Sequence, residues 1–439
     1  MCKTSPIEAY ADEICSAAKI IAGYCALEKI PQPSFEPHAP SVTLPPSAPT
    51  HVLEARQRLI GAAAKIQQLA TEPSEFLPGL AVQYQLTASI RWLAHFSVLP
   101  CVPLQGSVPY SDIASMCNVP VRTLRSVVRL AMTANFLCEP VVGEVAHTSI
   151  SSQFVTKPAY PGWMKFMTEF YMPVSCKFVE ATEKWGTSVR KDQTAVNLAM
   201  GTELSSFDYI TGNRDLSRKF AAYMKGVQAS EGTNIRYILT SFDWRWHSGP
   251  VIHMAGSPGT VAIALAEAFP HLKLLVQDFP DTIKHSHGLL AVQSQEIRSR
   301  ITTAEHNIFE PQPHVPGAVY ILRMLLHNWC DAEATKILAS LLPAMKSNPS
   351  ARILIIDTLL PEPGTVDSVS EAMMRYRDMT MMQVFNTKER DLDEFKALFE
   401  QASDHEARLV LKSIRHHPGS TLSVLEVGCE MESESLAEG

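Results

Sequence analysis

Apolar residues recur along this chain with two periods, and the change from one to the other divides it. Over 5–29, Ile7, Ile14, Ala18, Ile21 and Cys25 return at helical spacing, which predicts a helix. Residues 31–50 carry seven prolines and read as a semi-rigid linker with no core of its own. Helices are predicted over 51–71 and 81–97, the second with Leu86, Ile90 and Leu93 on one face. Residues 106–156 read as a winged helix-turn-helix. Ser111 is expected to cap a short helix running through Asn118, and Pro120 to open a second over 121–137 with Leu124, Val128, Ala131 and Met132 inward. The segment 138–154 then alternates around Gly143 as a two-stranded wing. Residues 158–238 read as mostly helical.

From 249 onward strands alternate with helices. Strands are predicted at 251–255, 272–278, 318–323 and 352–360, with helices over 259–269 and 331–346. This order gives an α/β fold with a parallel, doubly wound sheet. Asp391 and Glu394 form a capping box ahead of a helix, and 408–416 and 421–428, split by HPGS, read as an antiparallel hairpin. The acidic end EMESESLAEG is expected to fray. The domain plan is therefore 1–50, helix and linker; 51–157, helical winged-helix domain; 158–430, substrate helices and sheet; and 431–439, acidic tail.

Composition narrows the function. Apolar residues are 46% of the chain and charged residues 19%, the balance of a compact protein. The net charge, 38 − 45 = −7, provides no electrostatic footprint for nucleic acid or an anionic membrane, and no apolar stretch reaches the length of a span. The first residues, MCKTSPIEAY, do not have the pattern of a signal peptide. The nine scattered cysteines include no CxxC pair, and we read them as reduced, mostly buried thiols of a cytoplasmic protein that holds no metal. Arg122, Arg125 and Arg129 on the second helix of the winged region raise DNA reading as a hypothesis. The favoured alternative is a packing and dimerisation module with a solvated basic face.

Two segments carry candidate chemistry. HMAGSPGT (253–260) lies between a strand and a helix, where a glycine-rich turn lets backbone approach a nucleotide; Asp278 ends the next strand and can accept from ribose hydroxyls. That pair alone would equally suit a dinucleotide enzyme. LLHNWCD (325–331) follows the strand at 318–323, so His327 stands where an open α/β sheet places its ligands, with the chemistry of a general base. Asp357 and Glu389 are candidates to hold its second nitrogen. Trp163, Phe166, Met167, Phe170, Met379, Met382 and Phe385 are candidate walls for a flat apolar substrate, although a helical core would look the same.

VQDFP, LRMLLHNW, ILIIDTLLPEPG, RDMTMMQVFNTKERDLDEF and HHPGSTLSVLEV, in this order, resemble the fungal class of O-methyltransferases, itself similar to plant caffeate and flavonoid O-methyltransferases. The likeness spans roughly 80–430 and includes the winged-helix region, which in that family is the dimerisation domain. It implies a Rossmann-like S-adenosylmethionine-binding sheet, a homodimer, a small hydrophobic substrate, and no nucleic-acid or membrane partner. It also implies roles. Asp278 would bind the cofactor's ribose, Gly256 and Gly259 would line its turn, and Asn307 and Arg323 would complete its site. His327 would take a proton from a phenol or enol, flanked by Asp357 and Glu389. Apart from the resemblance, the position of Tyr223 and Ser230 on the helix before the sheet gives the expectation that they face the substrate or the cofactor's methionine end.

The chain departs from the family at the cofactor. His253 stands for an Asp, Ala255 and Ser257 for glycines, Asn307 for an Asp, and Asn328 for the Asp of HDW. Ala255 is expected to restrict the turn to negative φ. Some fungal proteins of this fold act as pericyclases on polyketide intermediates, several with Lys or Arg in place of the His. Retention of His327 speaks for methyl transfer, and the altered turn for the pericyclase. A binding or regulatory role is the third reading.

Overall fold

The computed structural model describes residues 5–45 and 47–431. The chain forms two compact units: Met1–Gly186 with Ala195–Gln228 and Asp367–Val369, and Thr187–Thr194 with Ala229–Val366 and Ser370–Gly439. The polypeptide thus passes from one unit to the other after 186, 194, 228, 366 and 369.

In the first unit, helices Pro6–Leu27 and Thr50–Ala70 pack through Ala17, Ile21, Cys25, Val52 and Ala55. The proline-rich linker contributes Leu44 and Ala48 to that core, so it is more than a spacer. The next long helix runs Phe76–His95, five residues earlier than 81; Pro78 falls in its first turn, where a missing N–H is tolerated. Helices Tyr110–Cys117 and Val121–Met132 lie with a small sheet of β1 (Val108–Pro109), β2 (Leu137–Val141) and β3 (Glu144–His147), ordered β1-β3-β2. Ser111 is not the cap of the first of these helices: Pro109 occupies the N-cap and Ser111 lies inside. The second stops at Met132 rather than 137, and Asn135 then turns the chain at φ 54°.

The second unit is built on seven strands: β4 (Val251–Met254), β5 (Leu274–Asp278), β6 (Ile301–Glu305), β7 (Val319–Arg323), β8 (Arg352–Asp357), β9 (Ala407–His416) and β10 (Ser423–Met431). Their order is β6-β5-β4-β7-β8-β10-β9, with the first five parallel and β10 antiparallel to both neighbours. Strand order reverses between β4 and β7, the place where doubly wound sheets bind ligands at their carboxyl edge. Alternate residues feed two cores. Val251, Val276, Val319, Ile321 and Ile356 meet the helix Thr260–Ala268 on one face. Ile252, Met254, Tyr320, Leu322 and Ile355 meet the helices Asp331–Lys346 and Leu392–Ala402 on the other. The capping box of Asp391 and Glu394 is present.

Of the acidic end, Glu430 and Met431 close β10 and are not frayed; 432–439 lie outside the described residues. Among the described cysteines only Cys25 and Cys429 are buried, while Cys15 and Cys176 are exposed, so the expectation of mostly buried thiols fails; none is in a disulfide. No described helix is long and apolar enough to cross a membrane.

Candidate active site

His327 sits in the turn Leu326–Asn328, directly beyond β7. Met324, at φ 49°, bends the chain out of the strand while its N–H still bonds Ile356 O. His327 is 4% exposed, and its Nδ1 lies 2.9 Å from Glu389 Oε1 and 4.0 Å from Asp357 Oδ1. Asp357, at the end of β8, accepts the Leu326 N–H at 3.2 Å, which ties the turn to the sheet. Glu389 comes from the loop after helix Ser368–Phe385 and donates its own N–H to Asp378 at 3.0 Å. The structure therefore assembles the three residues singled out in the sequence.

Their charges are mutually adjusted. Burial pulls the His327 pKa down, but Glu389 and Asp357 outweigh it and hold the imidazole above its ordinary 6.5. Burial pushes Asp357 up to about 6 despite its cationic neighbours. Glu389 is buried too, yet His327 and Arg377 keep it below its usual value. With Nδ1 committed to Glu389, Nε2 is the nitrogen available to a substrate hydroxyl. Sequence reading missed two arginines here. Arg377 Nε stands 3.4 Å from Glu389 Oε1 and donates to Thr358 at 2.8 Å. Arg390, 1% exposed, donates to Leu326 O and Trp329 O, both at 2.9 Å, and to Asp331 at 2.8 Å. It thus clamps the carbonyls on either side of His327. Its only signal in the sequence was its place beside Glu389, since an arginine in a polar loop ordinarily reads as solvated.

At the cofactor turn, Ala255 adopts φ 48°, against the expectation of a negative value. Gly256 N–H bonding Gln277 O, and Ser257 N–H bonding Asp278 Oδ2 at 3.0 Å, hold the chain in that conformation. Asp278 Oδ1 accepts from Phe279 N–H at 2.9 Å, so both oxygens are engaged, with lone pairs to spare. Gly259, at φ 94°, precedes the helix Thr260–Ala268. Gly256 is glycine for a packing reason: a Cβ there would lie 2.6 Å from Cγ and Nδ1 of the buried His253 ring. Asn307 caps its own turn, accepting from Phe309 N–H at 3.1 Å. Arg323 ends β7 and is 9% exposed. His253 Nδ1, Gln277 Oε1 and His306 Nε2 are buried without partners among the described residues. Orphaned polar atoms on three neighbouring segments at the carboxyl edge fit a ligand rich in hydroxyl and amine groups. No cluster able to hold a metal ion occurs among the described residues.

The candidate substrate residues separate. Trp163, Phe166, Met167 and Phe170 belong to the first unit. There Phe166 stacks on Phe170 (centroids 4.9 Å apart) and meets Tyr171, Phe220 and Tyr223. Phe166 and Phe170 line a cavity of about 180 Å³ rimmed by Lys165, Glu169 and Lys219. Met379, Met382 and Phe385 lie on helix Ser368–Phe385 in the second unit, with Met379 37% and Phe385 8% exposed. Ser230, also of the second unit, hydrogen-bonds Thr233 at 3.0 Å.

Comparisons with known proteins bear on family and fold. Residues 185–403 match the O-methyltransferase domain family. Residues 4–71 match the N-terminal domain described for the trypacidin cluster transcriptional coactivator tpcD. O-methyltransferase VdtC of Byssochlamys spectabilis is 43% identical over 432 residues, covering 97% of this chain and 98% of that protein. O-methyltransferase aurJ of Gibberella zeae is 38% identical over 429 residues, covering 96% and 97%. Among solved structures, OxaC in complex with SAH and oxaline superposes with TM-score 0.70 at 21% identity, covering 96% of this chain and 98% of that one. LepI in complex with SAM gives 0.71 at 18%, covering 96% and 100%. Both share the fold.

Proposed function

The chain belongs to the fungal secondary-metabolite O-methyltransferase family, and on that premise we propose that it methylates a hydroxyl of a small hydrophobic metabolite, of polyketide or pyridone type, with His327 as general base. The observation that carries the reading is the His327–Glu389 contact of 2.9 Å at the carboxyl end of β7, buried and flanked by Asp357. Glu389 fixes the tautomer and ring orientation, so that Nε2 can accept the proton of a phenol or enol. S-adenosylmethionine supplies an electrophilic methyl group. Asp278, Gly256, Gly259, Asn307 and Arg323 are the residues assigned to hold it; Asp278 has acceptor capacity for ribose hydroxyls, and the turn presents backbone. The chain's contribution is deprotonation, alignment and exclusion of water. Trp163, Phe166, Met167, Phe170, Met379, Met382 and Phe385 are assigned to the substrate.

Purified protein, labelled S-adenosylmethionine and a panel of phenolic and enolic polyketides test this. We expect a methyl ether product, and a fall of about 10²–10⁴ in kcat for His327→Ala with cofactor binding retained. Cofactor binding without any methylated product would refute it. The altered turn supports a second reading, a pericyclase: Ser257 N–H already occupies Asp278, as does the N–H of Phe279. Such an enzyme would change the product ratio of a reactive polyketide with no methyl group consumed.

We assign residues 1–50 as helix and linker, 51–157 as a winged-helix-type dimerisation domain, 158–430 as the substrate-binding and catalytic domain, and 431–439 as a tail, amended at the boundaries: 158–186 and 195–228 go with the first compact unit, and Met431 belongs to β10, which leaves 432–439 for the tail. Support for a homodimer is an apolar face left without cover among the described residues: Phe76, Leu77, Leu80 and Tyr84 on one helix are 65%, 72%, 48% and 59% exposed. Two of the three arginines of helix Val121–Met132 are engaged within the fold, with Arg129 paired to Glu139 at 2.9 Å and Arg125 over the Tyr110 ring, which supports a role without nucleic acid. The match at 4–71 does not alter this, because the VdtC alignment spans 97% of the chain. The free thiols of the described cysteines suit a cytoplasmic setting; no membrane partner is proposed.

A further inference from the structure

We propose that Arg323 and His253 form a carboxylate-binding subsite that anchors the amino-acid end of the cofactor, an inference that rests on the methyltransferase reading. Arg323 is a buried guanidinium with little to do. One nitrogen, Nη2, donates to Thr233 O at 2.6 Å; the side chain makes no ion pair among the described residues, and Arg377 adds like charge nearby. A guanidinium has five donors, and a cation taken out of water without a partner is costly. Burial, with the repulsion of Arg377, lowers its pKa to about 10, so it keeps its charge at neutral pH.

His253 supplies the second half. On the adjacent strand it pairs in register with Ile321, two residues before Arg323, so both side chains leave the same face of the sheet at its carboxyl edge. Its ring is 6% exposed and its Nδ1 has no partner among the described residues. Burial first, and then the charge of Arg323, hold it neutral with a pKa of about 3. The absent Cβ of Gly256 gives the ring its seat beneath the turn. A neutral imidazole presents one N–H, and Arg323 presents a fork, which together match the planar, singly charged carboxylate. Asp357 also acts on Arg323, which disfavours a dianion such as phosphate. On this view the His at 253 is a recognition residue and not damage to the turn.

Calorimetric titration of the full chain tests this with S-adenosylhomocysteine and its analogue lacking only the carboxylate. The intact protein should prefer S-adenosylhomocysteine by about 10- to 100-fold, the usual worth of a hydrogen bond to a charged group. Arg323→Met should erase the preference while binding the decarboxylated analogue as before, and Arg323→Lys should restore part of it. If Arg323→Met fails to fold, Arg323→Lys carries the comparison, with a reduced preference expected. Equal affinities in the intact protein, or a preference unchanged by substitution, would overturn the subsite and leave the cofactor assignment standing. Binding of neither nucleoside would sink the methyltransferase reading and the subsite with it.

Discussion

Replacing Glu389 by Gln removes a charge 2.9 Å from His327 Nδ1 and 3.4 Å from Arg377 Nε, in a place where Glu389 and His327 are nearly inaccessible to water. Gln keeps the volume and a hydrogen-bonding end but strands the imidazolium. Breaking a buried pair in this way costs about 3–5 kcal/mol, and the retained amide places the loss near the lower figure. The loss should depend on pH. His327 is held above its ordinary 6.5, so its part of the stabilisation is complete below 6.5 and disappears as pH rises through the raised value. Glu389 is held below its ordinary 4.5, so its part is complete above 4.5 and disappears as pH falls through the lowered value. The stability gap between intact protein and variant should therefore be widest between pH 4.5 and 6.5 and narrow on both sides. Urea denaturation across that range measures it. Catalysis should report the same coupling: with Glu389 gone, burial dominates, the His327 pKa falls, and the acid limb of kcat/KM moves to lower pH as kcat drops. A stability gap that does not vary with pH, or an acid limb that stays in place, would refute the coupling.

Four further outcomes follow from the geometry. Gly256→Ala should destabilise the second unit by about 1–3 kcal/mol, because the new methyl meets the His253 ring at 2.6 Å. In a His253→Ala background the same change should cost little; equal losses in both would refute the packing explanation. Arg390→Met frees the carbonyls of Leu326 and Trp329, so kcat should fall and its pH limb shift while S-adenosylhomocysteine affinity is retained. Asp357→Asn removes the weaker of the two carboxylate influences on His327, at 4.0 Å, so its shift of the acid limb should be smaller than that of Glu389→Gln. Leu77→Asp with Leu80→Asp places charge on the exposed apolar face and should halve the sedimenting mass; an unchanged mass would rule out that face as the dimer contact.

The central strands were legible because both their faces are covered: β4, β7 and β8 are almost continuous apolar runs, and a parallel sheet under helices requires that. The edge strand β6 carried no such signal, since Ile301 alone among its five residues is buried. The helix beginning at Phe76 was hidden by Pro78 and Gly79, which ordinarily mark a break. His327, Asp357 and Glu389 could be found because strand ends and motif order place them. Arg390 could not, because nothing local distinguishes a buried arginine from a solvated one. Ala255 shows the limit of residue rules: its positive φ is imposed by two backbone N–H bonds, to Gln277 O and Asp278 Oδ2, that join the turn to β5.

The repeated passage of the polypeptide between its two units constrains how the protein can be engineered. No single scissile point yields either half intact, because Thr187–Thr194 is contributed to the catalytic half from within the other, and Asp367–Val369 is lent back. Asn386 holds the first of these loans, donating to Arg190 O at 2.7 Å and Gln193 O at 2.8 Å. Chimeras with relatives of different substrate preference must therefore exchange interleaved segments, with junctions matched at every passage, and a splice at one boundary will leave a fragment missing part of its own scaffold.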